Sequence, residues 1–502
     1  MSDARSPTWL DRIEELAREH PELTAFTFTG GGGETLSWRD LSRRIAGIAQ
    51  LFAARGVTQG STVCLRLPNC TAFVLGAFAA WRLGATVLPL RWDMPAPERE
   101  HVLALGKPVV TVSETGDVAG ELAAPEMLAA PAVDPAGLPP PLPASPAWMI
   151  ASGGSTGTPK LISPDGDTLL GEGGMRVSGG PSRFADNANH RHPVHLCCAP
   201  LYHTHAFSLL FRTLVEDFRV VLMPKFEAEQ FLDIVEQERV SFFAIVPTMV
   251  IRLLASPTIH SRDLSSVENA ILGAGATPDW AVRQWIDVIG GDTLLMGYGM
   301  SEGLTASFIR GSEWLERPGS VGQSLLSDVR VVDEDGEDVA TGEVGELYFK
   351  PKGGGEHAFQ YFGDARIRSL PGGWASVGDL GKLDADGYMY IVDRRTDMIV
   401  SGGANVFVSE VEAALLGHAD VLDVAVVGLP DPEWGRRVHA IVVPKPGALR
   451  DGLGEELRAH AKTRLASYKA PRSVEFVETL GRSEAGKLNR QALVRAREGE
   501  QA

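Results

Sequence analysis

A run of glycine and hydroxyl residues at positions 152–160 is the first segment whose composition points to chemistry. It reads Ser-Gly-Gly-Ser-Thr-Gly-Thr-Pro-Lys and follows the apolar residues 147–151. Glycines let a ligand approach the backbone, amides and hydroxyls can bind phosphate oxygens, and a lysine adds positive charge. The run is not a Walker loop, because no glycine directly precedes Lys160. By itself it fits a phosphate-binding loop and a flexible glycine-serine turn equally well.

Four further segments follow this loop along the chain. They are Gly297-Tyr298-Gly299-Met300-Ser301-Glu302, Gly378-Asp379-Leu380, Asp393-Arg394 with Ser401-Gly402-Gly403 shortly after, and Gly486-Lys487 near the end. Each has an ordinary interpretation when taken alone: an aspartate in a turn, a tyrosine in the core, or a solvated lysine near a terminus. The ordered set is more specific than any of its members.

With these motifs the chain resembles the adenylate-forming superfamily of acyl-CoA synthetases, aryl-acid adenylating enzymes, peptide-synthetase adenylation domains and luciferases. The resemblance extends from about residue 9 to about residue 495. It implies that a carboxylate attacks the α-phosphate of ATP, that pyrophosphate leaves, and that the acyl-adenylate passes its acyl group to a nucleophile such as a thiol. Such a site must neutralise several phosphate charges and align the reactants.

The resemblance assigns the nucleotide to residues with hydroxyl, amide or charged groups. It implies that the loop binds the β- and γ-phosphates, that Ser301 contacts the α-phosphate and that Glu302 holds Mg²⁺. It also implies that Tyr298 stacks on adenine against a glycine-containing turn, and that Asp379, backed by Arg394, binds the ribose hydroxyls. The implied nucleotide-binding set is Ser152, Gly153, Ser155, Thr156, Gly157, Lys160, Gly275, Ala276, Tyr298, Ser301, Asp379 and Arg394.

The same resemblance describes the acid side of the site. It implies that His203 is the gate of the acid pocket, that Phe207 forms part of its wall, and that Gly273 and Gly297 line the far side. Lys487 would bridge the acid and the α-phosphate, where its charge acts most strongly in the transition state. The implied catalytic residues are Lys487, His203 and Glu302. Small residues in the pocket leave room for a flat or bulky acid, which favours an aromatic or cyclic substrate.

Several positions depart from the pattern of these relatives. Thr204 follows the gate histidine where dihydroxybenzoate enzymes usually have asparagine, which argues against a siderophore-type dihydroxybenzoate. Residues 163–166 replace a common Thr-His pair, and Val377 replaces a threonine before Gly378. Thr396 stands where relatives carry the Asp or Lys about which the small domain rotates, so the balance of the two half-reactions can differ.

A histidine- and cysteine-rich stretch offers a metal site as an alternative interpretation. It contains His190, His192, His195, Cys197, Cys198 and the segment 200–205. Residues 194–199 alternate like a buried strand, free cysteine is commonly a small core residue, and the spacings match no usual zinc pattern. We therefore predict a buried strand here and no structural metal.

The elements that must position these residues alternate between helix and strand. Ser37 and Asp40 form a variant capping box ahead of apolar residues at helical spacing. The predicted elements are a helix from 37 to 56, a strand at 63–65, a helix at 72–83 and a strand at 85–90. This alternation predicts an α/β fold with parallel sheet. The proline-rich residues 119–147 predict a surface connection.

A charged cluster at residues 393–397 predicts a domain boundary. We expect a large N-terminal domain at 1–393, with stacked β-sheets, flanking helices and the ATP and acid sites, and a small mobile α+β lid at 394–502. In the lid, the predicted elements are a helix capped by Ser409 and running through Leu415, strands at 424–427 and 438–443, and a helix at 453–465.

Charge and composition exclude several classes of protein. The 47 basic and 64 acidic residues give a formal charge of −17, which disfavours nucleic acid and anionic lipid as partners. No apolar run approaches the roughly 20 residues of a membrane helix, and the first residues do not resemble a signal peptide. Four cysteines suggest neither a disulfide framework nor zinc hooks. We expect a cytoplasmic protein.

Together these features predict a free-standing acid:thiol ligase that uses ATP and Mg²⁺ to activate an aryl or other cyclic acid and then acylates CoA. Transfer to a separate carrier protein, or directly to an amine, stays open within the same family. The alternative from another class is a nucleotide-binding scaffold that has lost catalysis, as the departures suggest. The retained Lys487, Glu302 and Asp379 argue against that alternative.

Overall fold

The structure of the chain is a computed structural model that describes residues 6–118, 120–152, 160–164, 166–170, 193–483 and 486–498. It has a mixed α/β fold with a large N-terminal domain of several sheets and a small C-terminal domain. The α-helices are α1 (Trp9–Glu19), α2 (Trp38–Ala54), α3 (Thr71–Arg82), α4 (Ala96–Gly106), α5 (Ala124–Leu128), α6 (Thr204–Val215), α7 (Ala228–Gln237), α8 (Pro247–Leu254), α9 (Asp279–Ile289), α10 (Gly311–Trp314), α11 (Val408–Leu416), α12 (Leu453–Arg464) and α13 (Arg490–Glu498).

The largest sheet carries most of the predicted motifs at its edge. Its strands are β1 (Thr24–Phe28), β2 (Glu34–Ser37), β9 (Val194–Cys197), β10 (Arg219–Leu222), β11 (Phe242–Ile245), β12 (Asn269–Leu272), β13 (Leu294–Gly299), β14 (Ala306–Arg310) and β15 (Gln323–Ser324). Their order is β15-β14-β13-β12-β11-β9-β10-β1-β2. The inner pairs are parallel and the outer ones antiparallel. The carboxyl ends of β9, β11, β12 and β13 therefore lie at one edge, where α/β proteins bind ligands.

A second, parallel sheet confirms the α/β alternation of the first hundred residues. It has the order β4-β3-β5-β6, with β3 at Thr62–Arg66, β4 at Thr86–Leu90, β5 at Val110–Ser113 and β6 at Leu122–Ala123. Helix α3 links β3 to β4, and every one of its residues is buried. A helix that is apolar all round is stable only in such an interior.

The remaining sheets frame the cleft and build the C-terminal domain. A three-stranded sheet joins β7 (Ile150–Ser152), β8 (Lys160–Ser163) and β18 (Gln360–Phe362); a six-stranded sheet contains β16 (Ser327–Val332), β17 (Gly345–Pro351), β19 (Arg368–Leu370), β20 (Trp374–Ser376), β21 (Asp379–Leu383) and β22 (Met389–Arg394). The last strands are β23 (Ile399–Ser401), β24 (Ala404–Val406), β25 (Val421–Asp431), β26 (Gly435–Pro444) and β27 (Ser473–Phe476). One apolar core draws only on residues from Ile399 onward. The domain boundary at 393/394 stays a prediction.

The predicted capping box at Ser37 is confirmed. The Ser37 hydroxyl accepts from the Asp40 backbone N–H at 3.1 Å, and the Asp40 carboxylate accepts from the Ser37 N–H at 3.3 Å. Two donors at the start of α2 are thereby satisfied. Gly56 follows the helix with a φ of +89°, a left-handed conformation that glycine adopts without strain.

Two expectations about local structure were wrong. Residues 119–147 are not simply a surface connection, because β6 extends the parallel sheet and Leu122 and Met127 are buried in its core. Ser409 does not cap a helix, because α11 begins at Val408 with Phe407 in the cap position. The Ser409 hydroxyl instead donates to the carbonyl of Val392. Composition alone cannot show whether a short apolar segment pairs with a strand that is distant in sequence.

The histidine- and cysteine-rich stretch forms the buried strand that was predicted. Strand β9 ends at Cys197, and both Cys197 and Cys198 are free thiols in the core. His195 is buried beside the Thr213 hydroxyl at 2.8 Å, and burial lowers its pKa to about 3. His190 and His192 lie outside the described residues. In the described parts of the chain no group of three or more metal-ligating side chains occurs, and no helix there is long and apolar enough to cross a membrane.

Gly47 in the middle of α2 supplies a stability test. A Cβ at this position would lie 1.9 Å from the carbonyl oxygen of Pro131, which belongs to the segment that crosses the helix. Gly47→Ala must displace that backbone, so we expect it to lower the thermal unfolding midpoint by about 1–4 °C, as overpacking by about 1–3 kcal/mol would in a domain of this size. Gly137→Ala is the matched control, since its Cβ meets nothing within 4 Å. Equal midpoints for the two variants would contradict this packing.

Candidate active site

The C-terminal edge of the large sheet collects residues that are distant in sequence. His203 follows β9 and precedes α6, the turn at residues 273–276 follows β12, and Ser301 and Glu302 follow β13. The Ser301 hydroxyl lies 3.0 Å from the hydroxyl of Thr204, the first residue of α6. This contact, which the sequence did not indicate, ties the β13 segment to the His203 segment.

The two ends of the predicted phosphate loop are joined by a hairpin. Ser152 is the last residue of β7 and Lys160 the first of β8, and the two residues pair across the strands. Gly153, Ser155, Thr156 and Gly157 lie outside the described residues, so their predicted phosphate contacts stay predictions. The pairing of β7 with β8 places Lys160 directly opposite Ser152.

Glu302 is a buried carboxylate held by one cation and one hydroxyl. Its Oε1 accepts from Lys160 Nζ at 2.8 Å and from the Tyr361 hydroxyl at 2.7 Å. Lys160 also donates to the Tyr361 oxygen at 2.9 Å, and its Nζ lies 4.2 Å from the centre of that ring. Burial and the nearby Glu302 raise the pKa of Tyr361, so the hydroxyl keeps its proton. The sequence did not indicate Tyr361.

Asp379 is a second buried carboxylate with the same kind of surroundings. Its Oδ2 accepts from the Tyr298 hydroxyl at 2.6 Å, and its Oδ1 lies 3.4 Å from Nε of Arg394. Arg394 is brought there by the pairing of β21 with β22, in which the two residues face each other. Burial, with the charge of Asp379, raises the pKa of Tyr298 well above its usual value. The predicted pairing of Asp379 with Arg394 is confirmed as a contact, whereas its ribose role stays a prediction.

His203 is an uncharged imidazole beside two cations. Burial, then the charges of Lys487 and Arg91, lower its pKa to about 3. Its Nε2 is buried and has no hydrogen-bond partner among the described residues. Its neighbour His205 has a pKa of about 4, lowered by burial and by Lys487. A neutral imidazole can accept or donate a hydrogen bond without repelling the lysine.

Lys487 reaches this cleft from the C-terminal domain. Its side chain keeps an exposed surface, yet the surrounding protein and the charge of Arg394 lower its pKa. The preceding Gly486 lies against Thr248 at the start of α8, where a Cβ would approach the threonine hydroxyl to 2.6 Å. The charge of this lysine, which the sequence predicts to be catalytic, also contributes to the low pKa of His203.

Arg482 fixes the turn that carries Lys487. It donates to both oxygens of Asp423 at 2.7 and 2.9 Å, and to the carbonyl of Gly486 at 3.1 Å. Ser483 closes the turn, because its N–H donates to the Lys487 carbonyl at 2.9 Å and its hydroxyl accepts from the Lys487 N–H at 3.2 Å. A bidentate arginine pair is among the more rigid side-chain contacts, so the backbone of Lys487 has a defined position.

The hinge segment has its own polar contacts around the unusual Thr396. The Thr396 hydroxyl is exposed and lies 3.5 Å from Oδ1 of Asp397. Arg490 donates to Asp397 at 3.2 Å and to both oxygens of Glu412 at 2.6 and 2.7 Å. Asp397, next to Thr396, is therefore paired with an arginine of α13, and the predicted hinge role of this segment stays a prediction.

Close packing explains why Gly273 and Gly297, the predicted pocket glycines, have no side chain. A Cβ on Gly273 would lie 2.9 Å from the Gly297 carbonyl, and a Cβ on Gly297 would lie 3.0 Å from the ring of Phe308. The missing side chains therefore do not open space for an acid, as the sequence argument assumed. Gly275 and Ala276 continue the turn, in which Ala274 has a φ of +66°. Such strain in a non-glycine residue is typical of functional turns.

Phe207 does not face an open pocket. It is fully buried in α6, with ring centres of Trp81, Trp148 and Phe211 at 5.8, 5.6 and 4.8 Å. An acid could contact it only by displacing this aromatic cluster, so the predicted wall position is not supported. The resemblance implied the wall position of Phe207, but it does not say which face of α6 packs against the aromatic core.

A carboxylate in this position is suited to bind Mg²⁺ that is also coordinated by phosphate. Mg²⁺ usually takes one or two protein carboxylates and completes its shell with phosphates and water. Glu302, which follows Ser301 in the chain and contacts Lys160, offers such a ligand.

The motif residues thus include two buried carboxylates, each in contact with a tyrosine hydroxyl and a cation. The chain belongs to the AMP-binding enzyme family, whose model matches residues 13–354, with the AMP-binding enzyme C-terminal domain at 410–487. It is 35% identical over 487 residues to feruloyl-CoA synthase of Amycolatopsis sp, covering 94% of this chain and 95% of the relative. It is 30% identical to indoleacetate–CoA ligase of Aromatoleum aromaticum, covering 96% of both chains. It is an adenylate-forming enzyme of the acyl-CoA ligase type.

A solved structure supports the same family. The fold is similar to o-succinylbenzoate CoA synthetase from Bacillus subtilis in complex with its acyl-adenylate intermediate, with a TM-score of 0.79 and 25% identity. The match covers 97% of this chain and 98% of the other. The superfamily expected from the motifs and the two-domain α/β fold are thereby confirmed.

The buried position of His203 gives a prediction about pH. An unfolded histidine has a pKa of about 6.5 and binds a proton as the pH falls below this value, whereas the folded His203, with a pKa of about 3, does not. His203 therefore stabilises the fold above pH 6.5, and this contribution is lost as the pH falls towards 3. Imidazole ¹⁵N shifts, assigned with His203→Gln, should report a neutral ring at pH 5. A protonated ring at pH 6 would contradict this environment.

Proposed function

We propose that this enzyme activates an aromatic carboxylic acid with ATP, forms the acyl-adenylate with release of pyrophosphate, and transfers the acyl group to CoA. The observation that carries the proposal is a pair of buried carboxylates among the motif residues: Glu302 contacts Lys160 and Tyr361, and Asp379 contacts Tyr298 and Arg394. Such carboxylates are suited to Mg²⁺ and to ribose hydroxyls, and the charge of Lys487, from the C-terminal domain, acts on the neutral His203.

In the first step, an oxygen of the acid attacks the α-phosphorus and the bond to pyrophosphate breaks. Lys487 is proposed to bridge the acid and the α-phosphate, where negative charge grows in the transition state. Lys160 and the loop before it would hold the β- and γ-phosphates, and Ser301 would contact the α-phosphate. Mg²⁺ bound at Glu302 would neutralise phosphate charge. Alignment and charge neutralisation supply most of the rate in phosphoryl chemistry of this kind.

The ribose and adenine of the nucleotide are proposed to bind near Asp379. The Oδ2 atom of Asp379 accepts a hydrogen bond from the Tyr298 hydroxyl, which fixes the orientation of the Tyr298 ring. A ribose would share Asp379 with Arg394, whose Nε lies 3.4 Å from Oδ1. Adenine is expected against the Tyr298 ring and the turn at Gly275 and Ala276. The side chains proposed to bind the nucleotide here already contact one another, so their positions are defined before it binds.

In the second step, the CoA sulfur attacks the acyl carbon and AMP leaves. His203 has a low pKa and stays neutral, so it can border the acid without adding a charge. Aromatic acids are favoured as substrates because two of the similar relatives are named for feruloyl and indoleacetate groups. Transfer to an amine or to a carrier protein is not favoured, since both relatives are named for CoA.

The function is tested by supplying ATP, Mg²⁺, CoA and a panel of aromatic, alicyclic and fatty acids. We expect pyrophosphate release with aromatic members, adenylates when CoA is omitted, and acyl-CoA by mass spectrometry when it is present. Parallel reactions with amines in place of CoA test the amide alternative. Pyrophosphate release with fatty acids alone would refute the aromatic assignment, and no release with any acid would favour the scaffold alternative.

Lys487→Ala tests the assignment of one charge to one step. Loss of a preorganised charge at a developing anion should slow pyrophosphate release about 100-fold to 1,000-fold. Transfer from a synthetic acyl-adenylate to CoA should keep nearly the parent rate, because AMP is already the leaving group. Lys462→Ala, an exposed lysine of α12, is the control and should leave both steps unchanged. Equal losses in both steps for Lys487→Ala would contradict the assignment.

A further inference from the structure

The hydroxyl of Tyr361 contacts both Glu302 and Lys160, for which different roles are proposed: Glu302 binds Mg²⁺ and Lys160 binds phosphate. It donates to Glu302 Oε1 at 2.7 Å and accepts from Lys160 Nζ at 2.9 Å. Glu302 and Lys160 also contact each other at 2.8 Å, so the three polar groups form a closed triangle. The motif-based assignments contain the two charged residues and omit the tyrosine.

Tyr361 is placed by a strand that pairs with the phosphate loop's own strand. In the antiparallel pair of β18 and β8, Tyr361 faces Ile162, two residues beyond Lys160. Residues two apart on a strand lie on the same face, so Tyr361 and Lys160 are diagonal neighbours on one face of the sheet. The register of β18 against β8 therefore places the Tyr361 side chain next to Lys160.

A direct pair between Lys160 and Glu302 conflicts with their proposed tasks. A lysine held by a carboxylate is less available to phosphate, and a carboxylate neutralised by a lysine is a weaker ligand for Mg²⁺. A neutral hydroxyl can remain bonded to Glu302 while the lysine turns to the phosphates. The Tyr361 ring can meanwhile keep the ammonium over its face, where Nζ lies 4.2 Å from the ring centre.

We propose that Tyr361 is a positioning residue of the Mg²⁺·ATP site, which keeps Glu302 oriented towards the metal while Lys160 engages the phosphates. The inference rests on the proposed function for the tasks of Glu302 and Lys160. It goes beyond that function by assigning a role to Tyr361, whose hydroxyl would let Glu302 bind the metal while Lys160 binds the phosphates.

The test measures ATP binding by calorimetry, with and without Mg²⁺ and without any acid, so that no turnover is required. Tyr361→Phe keeps the ring and removes the hydroxyl. We expect the gain in ATP affinity on adding Mg²⁺ to shrink about tenfold, the effect of losing one hydrogen bond to a charged group. Affinity for ATP without Mg²⁺ should change less, because the ring still carries Lys160.

Tyr388→Phe is the matched control. The Tyr388 hydroxyl donates to Glu313, and the guanidinium of Arg317 lies 4.3 Å from the ring centre, so the same chemical group is removed from the same kind of surroundings outside the proposed site. This variant should keep the parent's Mg²⁺ dependence. Equal loss in both variants would attribute the effect to general destabilisation and overturn the proposal, as would an unchanged Mg²⁺ dependence in Tyr361→Phe.

A second measurement does not depend on the stability of one variant. If Tyr361 acts through Glu302, then adding Tyr361→Phe to Glu302→Gln should cause little further loss of Mg²⁺-dependent affinity. Additive losses would overturn the proposal. Failure of the proposed function is separate: a protein that binds Mg²⁺·ATP in this Tyr361-dependent way but activates no acid would refute the function and retain the inference.

Discussion

The site depends on how two carboxylates are held inside the protein. Glu302 and Asp379 each have less than a tenth of their surface exposed, and each is held by a tyrosine hydroxyl and faces a cation. Burial of an unpaired carboxylate is costly, and removing one partner of a buried pair costs about 3–5 kcal/mol. The hydroxyls offset part of that cost without adding charge. They leave the cations able to turn to phosphate or ribose, so the same arrangement serves stability and binding.

The fold brings these partners together from separate sheets. Glu302 follows a strand of the largest sheet, Lys160 and Tyr361 lie on the three-stranded sheet, and Asp379 begins a strand of the six-stranded sheet. A shift of any sheet would separate a carboxylate from its cation. The C-terminal domain adds Lys487 through a turn that is fixed by Arg482 and Asp423 rather than by the cleft itself.

Much of the architecture could be predicted from sequence, because local patterns determine it. The capping box at Ser37, the buried strand ending near Cys197 and the parallel alternation of the first hundred residues all follow from short-range rules. The closeness of Asp379 to Arg394 was implied by family motifs. Tyr361 could not be found in this way, because its contact depends on which strand pairs with β8, and that register is a tertiary property. The wall position of Phe207 was implied by the resemblance, which does not show that its ring packs into an aromatic core.

The central claim is that the acid carboxylate itself attacks the α-phosphate. The most direct measurement uses an aromatic acid labelled with ¹⁸O in both carboxylate oxygens and follows the label after complete turnover with ATP and CoA. Our account predicts that AMP carries one ¹⁸O atom and that pyrophosphate carries none, because the bridging oxygen of the adenylate comes from the acid and stays with AMP. Unlabelled AMP, or label in inorganic phosphate together with ADP, would show activation without an acyl-adenylate and would contradict the account.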